Sequence, residues 1–407
     1  MQGSDAYIRE VERVSARNYA PLDVVLHSGE GAWVTDVEGR RYLDMLAAYG
    51  AVSHGHQHPR LVAALVQQAQ TLAMTSRAFH NDRMGPLLAR LCELTGLDRA
   101  LPMNTGAEAV ETAIKAMRKW GYDVKGISPD RAEIIVCANN FHGRTTTIVG
   151  FSSDELSREG FGPPTPGFVT IPYNDVEALA AAIGPETCGF LVEPIQAEAG
   201  VIVPDRGYLR AVQEVCGRFD VLLCADEIQT GLGRTGALFA VEHEGVRPDL
   251  MCIGKALGGG LYPVSAVVGR EDVMSVFTPG SHGSTFGGNP LASAVALEAL
   301  AVIEDEHLVA RARKLGKKFR RELRVLEDRP HVREVRGVGL MTAVEFETAE
   351  AHDRVERLMR RGVLAKETHG TTVRFTPPLV IEESDLLTAA ATIVNVFGAP
   401  PHVAAPS

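Results

Sequence analysis

The chain has 407 residues, 45% of them hydrophobic and 23% charged, enough apolar material for a large core shared between two domains of unequal size. Its 51 acidic against 41 basic residues leave a formal net charge of −10, which argues against nucleic acid or an anionic membrane surface as the main partner, because both need clustered positive charge. No apolar run approaches the 18 or so residues of a membrane span, so no membrane partner is expected.

In chain order, the opening "MQGSDAYIREVERVSARNY" is charged and lacks the apolar stretch of a secretory signal. The six cysteines form no Cys-x-x-Cys pair and several lie inside apolar runs, so they read as reduced core thiols and the expected location is cytoplasmic. "GAWVTDVEGRRYLDML" predicts a strand pair with a turn at Glu38-Gly39. The alternating His54, His56 and His58 have no carboxylate or cysteine beside them, and no metal is expected. From there, apolar runs such as "EIIVCA", "CGFLVEP", "VLLCADE" and "LMCIG" alternate with helical patterns such as "VEALAAAIG" and "YLRAVQEVCGRF". That alternation predicts an α/β fold with a large, mainly parallel sheet covered on both faces. Residues 151 to 172 read as a long Gly/Pro-rich connection. From about residue 296 long helices, "VREVRGVGLMTAVEF" and "GVLAKETHGTTVRFTPPL" predict a smaller α+β domain. The expected division is 51–295 for the large domain and 1–50 with 296–407 for the small one. The basic run "RARKLGKKFRRELR" reads as a solvated helix face, and the tail "APPHVAAPS" as disordered.

Ligands of such sheets sit beyond the carboxyl ends of the strands, which directs attention to the polar residues there. In "MNTGAEAVETAIKAMRKW", Val110, Ile114 and Met117 recur at helical spacing, so a helix begins near Thr105-Gly106 with Asn104 or Thr105 as its cap. Small residues at that positive helix end suit a phosphate, although taken alone they are more often ordinary capping. Asp226 closes the buried run Val221 to Ala225, and Gln229 follows three residues later. Lys255 lies between "DLMCIG" and three glycines, where a charge entering the interior needs a partner, a lowered pKa or a covalent bond. An amine for a Schiff base, an acid for a pyridine nitrogen and a helix end for a phosphate together compose a pyridoxal 5'-phosphate site.

The segments "NTGAEAVETAIKAMRKWGYDVKGI", "NNFHGRT", "VEPIQAEAGV", "ADEIQTGLGRTG", "GKALGGGLYPVSAV" and "HGSTFGGNPL" resemble subgroup-III, fold-type-I pyridoxal-phosphate aminotransferases over nearly the whole chain, most of all those acting on ornithine. The resemblance implies a catalytic Lys255 that binds the cofactor aldehyde, Asp226 against the pyridinium nitrogen, and Gln229 on the ring's phenolic oxygen. It places Phe141 on the ring face and Thr105, Gly106 and Ala107 around the phosphate. Ser284 and Thr285 would reach the phosphate of a neighbouring subunit, which implies a homodimer with shared active sites.

On the substrate side the resemblance gives Arg144 to a distal carboxylate and Arg374 to the carboxylate next to the keto group. Glu198 would mask Arg374 while ornithine binds, with Tyr19 and Tyr49 lining the ornithine side. The activity implied is ping-pong transfer of the δ-amino group of L-ornithine to 2-oxoglutarate, giving glutamate 5-semialdehyde and glutamate. Ala197 and Ser53-His54 depart from the commoner family residues, so a sibling donor (N-acetylornithine, 4-aminobutyrate or lysine) or a related mutase or racemase stays open. A silent cofactor-binding regulator has no reason to keep a gated pair of arginines. A nucleotide-binding dehydrogenase needs a Gly-x-Gly-x-x-Gly spacing that "GRTG" and "GGG" lack.

Overall fold

The computed structural model describes residues 3–400; most of the tail expected to be disordered, 401–407, lies outside them. At its centre is a seven-stranded sheet in the order Arg99–Met103, Ser265–Gly269, Leu250–Ile253, Leu222–Asp226, Thr187–Val192, Glu133–Cys137 and Phe168–Ile171. All neighbours pair in parallel except Ser265–Gly269, which runs antiparallel to both of its partners. The inner strands are buried throughout, as two helix-covered faces require, and this explains their unbroken apolar sequences. Helix Gly106–Asp123 packs on the sheet through Val110, Ile114, Met117 and Trp120, each fully buried and worth roughly 2 kcal/mol.

Phe168–Ile171, the edge strand, falls inside the segment expected to be a connection, so the loop proper ends at residue 167. Only four residues long and followed directly by Pro172, it carries too short an alternation to stand out from the Gly/Pro-rich run before it.

Two four-stranded sheets flank the centre. In one, Leu26–Glu30, Trp33–Asp36 and Arg41–Asp44 form a meander whose turn contains Gly39 at φ 84°, and Arg41–Asp44 then pairs in parallel with Val363–Leu364. The other orders Val332–Val338, Met341–Phe346, Thr372–Phe375 and Lys366–Thr368, all antiparallel. Helix Pro290–Asp305 runs straight through position 295/296 and packs on Pro59–Thr71, so no linker marks a boundary there. The basic run is not simply a solvated face. It lies in helix Leu308–Leu323, where Arg311 and Arg313 donate to the carbonyls of Leu379 and Gly236, and Arg320 to that of Gly339. Five of the six cysteines are buried and all are free thiols.

Candidate active site

Lys255 follows strand Leu250–Ile253 and begins a single 3-10 turn at φ 45°, a conformation costly for a residue with a Cβ. The glycines after it permit close packing: a Cβ on Gly259 would sit 2.6 Å from Leu61 of helix Pro59–Thr71. Lys255 therefore projects into a cavity of about 200 Å³ together with Gly106, Ala107, Phe141, Glu193, Asp226 and Gln229. Among the described residues its amine makes no hydrogen bond or ion pair. Burial pushes its pKa below the usual 10.5, against the opposing pull of Glu198 and Asp226.

Asp226 ends strand Leu222–Asp226 and is 5% exposed. Its Oδ2 accepts from His142 Nδ1 at 2.7 Å and its Oδ1 from the Ile228 amide. Burial disfavours the charged His142, but the Asp226 hydrogen bond and charge outweigh it and raise the imidazole's pKa. The other nitrogen, Nε2, is buried without a partner.

Thr105 caps helix Gly106–Asp123 in a reciprocal box with Glu108, worth about 1 kcal/mol. Thr105's own N–H is spent on Glu108, while those of Gly106 and Ala107 carry no hydrogen bond among the described residues and border the cavity. Free N–H groups at the positive end of an 18-residue helix form an anion cradle.

An adjoining cavity of about 410 Å³ shares Phe141, His142 and Gly143 as a wall and is lined further by Arg144, Ser157, Glu198 and His369. Arg374, on strand Thr372–Phe375 and 4% exposed, donates from Nη1 to Glu198 Oε1 at 2.6 Å. Burial works against the Glu198 carboxylate, yet Arg374 prevails and holds its pKa down to about 2. Gln229 Nε2 donates to the same Oε1 at 3.1 Å, so the residue expected on the cofactor's phenolic oxygen also supports the gate. The Arg374 guanidinium lies 5.6 Å from the centre of the Tyr49 ring, which stands on the left-handed turn Ala47–Gly50. Asp44 Oδ1 accepts from the amides of Leu46 and Ala47 and fixes that turn.

Several expected residues fall outside these two cavities. Tyr19 is 72% exposed and lines neither cavity. Ser284 and Thr285 line neither cavity; Ser284 Oγ accepts from Asn104 Nδ2, and Thr285 is exposed on the surface loop before Gly287. Conversely, Glu193 received no role from sequence. It is buried, accepts from the Phe141 amide at 2.9 Å, and burial raises its pKa to about 7. The signal that found Asp226, a carboxylate just after the apolar run "CGFLV", was present for Glu193 too.

A covalently competent buried amine, a buried acid opposite and an empty-handed helix end, set at the carboxyl edge of a mainly parallel sheet, define a fold-type-I pyridoxal-phosphate enzyme. The comparisons refine this: the family model described as "Aminotransferase class-III" matches residues 14–397, and the chain belongs to that family of pyridoxal-phosphate-dependent aminotransferases. The ornithine aminotransferase of Bordetella pertussis is 55% identical over 95% of this chain and 94% of its own length. Among solved structures, the ornithine aminotransferase from Toxoplasma gondii matches with TM-score 0.96 and 48% identity, covering 98% of this chain and 95% of that one. The acetylornithine aminotransferase from Elizabethkingia anophelis matches with TM-score 0.89 and 48% identity, covering 98% and 99%.

Proposed function

We propose that this enzyme transfers the δ-amino group of L-ornithine to 2-oxoglutarate, forming glutamate 5-semialdehyde and glutamate in two half-reactions at one site. The single observation that carries this reading is the unequal treatment of the two arginines: Arg374 is masked by Glu198, whereas Arg144 has no carboxylate partner among the described residues. An amino acid meeting this site has its carboxylate drawn to Arg144, which leaves its far amine to reach Lys255. When the oxo acid enters, its second carboxylate takes Arg374 and Glu198 must withdraw. The relatives that carry the name ornithine aminotransferase support the same donor.

The residues present fit the cofactor. Gly106 and Ala107, with the cap Thr105, would cradle its phosphate, Asp226 would pair with its ring nitrogen, Phe141 would cover one face, and Lys255 would hold its aldehyde carbon. Bound pyridoxal phosphate supplies a carbonyl that receives the amino group and a ring that takes up the electron pair left by deprotonation. Asp226 would pair with the ring nitrogen, and His142 Nδ1, 2.7 Å from Asp226 Oδ2, holds that side chain in position. Lys255 would move the proton at the substrate carbon, and burial, which lowers its pKa, favours the neutral amine that this role needs.

Ser284 and Thr285 are assigned to the phosphate of a second copy, in a homodimer with shared sites and a cytoplasmic location. A large unit, 51–295, and a smaller one, 1–50 with 296–407, complete the reading, with helix Pro290–Asp305 as the rigid junction. N-acetylornithine is the second donor to weigh, because the Elizabethkingia anophelis enzyme named for it is as identical to this chain as the Toxoplasma gondii one. A donor panel with 2-oxoglutarate decides: ornithine should exceed N-acetylornithine, 4-aminobutyrate and lysine in kcat/KM, and any other order refutes the assignment. Lys255→Ala should lose the cofactor's lysine-dependent visible absorbance, and its turnover should fall by ~10³-fold or more.

A further inference from the structure

Arg144 is exposed at the mouth of the larger cavity, a position in which a long side chain wanders unless it is held. Two contacts hold it. Its guanidinium lies 5.7 Å from the centre of the Phe141 ring, and its Nη1 donates to Ser157 Oγ at 3.1 Å. Ser157 stands on the short helix Glu155–Arg158 and donates its own hydroxyl proton to Asp154 Oδ2, while Asp154 Oδ1 accepts from the Leu156 amide and caps that helix. With its proton committed to Asp154, the Ser157 oxygen can only accept, and it accepts from Arg144.

We propose that Ser157, oriented by Asp154, is a specificity-determining positioning residue that aims Arg144 at the distal carboxylate of the substrate. This rests on the assignment of Arg144 to that carboxylate. The chemistry favours a hydroxyl over a carboxylate at this point. A direct carboxylate–Arg pair, such as Glu198 makes with Arg374, would satisfy the guanidinium and compete with every incoming carboxylate. A neutral acceptor polarised by a carboxylate behind it fixes the direction of the arginine and leaves its remaining N–H groups free for a bidentate grip. The site thus holds one arginine by charge and the other by a hydroxyl, so the second is open when the first is closed.

The test compares wild-type holoenzyme with Ser157→Ala and Ser157→Thr. Ser157→Ala should raise KM for ornithine and for 2-oxoglutarate about tenfold with kcat within about twofold, because binding geometry is lost and the reacting atoms are untouched. KM for pyruvate, an oxo acid without a distal carboxylate, should not move. Glutarate, a dicarboxylate that cannot react, should bind about tenfold more weakly by calorimetry, and Ser157→Thr, which keeps the hydroxyl, should restore both values. Equal changes for pyruvate and 2-oxoglutarate, a fall confined to kcat, or unchanged glutarate binding would each overturn the proposal. If wild-type enzyme ignores ornithine but Ser157→Ala still loses glutarate and 2-oxoglutarate selectively, the role of Ser157 stands and the donor assignment is what falls.

Discussion

Glu198 and Arg374 together form the gate, and their electrostatics set the conditions under which it works. The Glu198 carboxyl titrates at about 2, below its ordinary 4.5. A carboxyl depressed in this way contributes stability that is complete above the unfolded value and lost only as pH falls through about 2. Protonation therefore cannot open the gate between pH 5 and 9; only a competing carboxylate can. Glu198→Ala leaves Arg374 uncovered beside Tyr49, and ornithine's own carboxylate should then be drawn inward so that its α-amino group reacts. Product analysis should find 2-oxo-5-aminopentanoate rising from a trace to a major product, with the balance flat across that pH range. A variant that still releases glutamate 5-semialdehyde alone would show that Glu198 has no part in regiochemistry. Lys255 follows the opposite sign. A buried ammonium with a lowered pKa destabilises the fold, and that loss is relieved as pH rises from the folded value towards 10.5. The strained φ of the same residue adds to the cost, as expected where the chain is shaped for chemistry.

Helix Gly106–Asp123 delivers its N-terminus to the cavity because another segment is allowed to lie almost on top of it. Gly143 adopts φ 128°, and a Cβ there would meet the Ala107 Cβ at 2.8 Å. Gly143→Ala should therefore push the Phe141–Arg144 loop off the phosphate cradle, weakening pyridoxal phosphate at least about tenfold by equilibrium dialysis and stability by ~1–3 kcal/mol. Gly126→Ala is the control: its φ is 80° with nothing within 4 Å, so it should cost stability and leave cofactor affinity alone. Much of this arrangement was legible in advance. Val110, Ile114 and Met117 marked the helix, the pair Asn104-Thr105 its start, of which Thr105 is the cap, and the all-apolar strands the buried parallel sheet, because burial on two faces leaves no other composition open to them. What stayed hidden depends on tertiary partners. Strand Phe168–Ile171 becomes visible only beside Glu133–Cys137, and the charges of Arg311, Arg313 and Arg320 find carbonyls distant in sequence. Ser157 reads as one more polar loop residue until Arg144 is seen against it.

Two well-exposed aromatic side chains stand on or beside the loop that carries Ser284 and Thr285. Phe286 is 52% exposed and Phe79 is 71% exposed, and Asn81 ties the two segments together by donating to the Gly288 carbonyl at 3.1 Å. An apolar rim of this kind, next to hydroxyls that line neither cavity of their own chain, fits a surface covered by a second copy. The alternative is that Ser284 serves its own chain, to which it is already linked through Asn104. Subunit mixing separates the two. Chains carrying Lys255→Ala have intact hydroxyls but no amine, whereas chains carrying Thr285→Glu have the amine and a carboxylate that repels phosphate. Each homodimer should be inactive. If the hydroxyls act across the interface, each mixed dimer contains one site with both wild-type parts. Random reassociation makes half the dimers mixed, so about one quarter of wild-type activity per site should return. If the hydroxyls act within their own chain, neither site of a mixed dimer is whole and the mixture should be as inactive as its components.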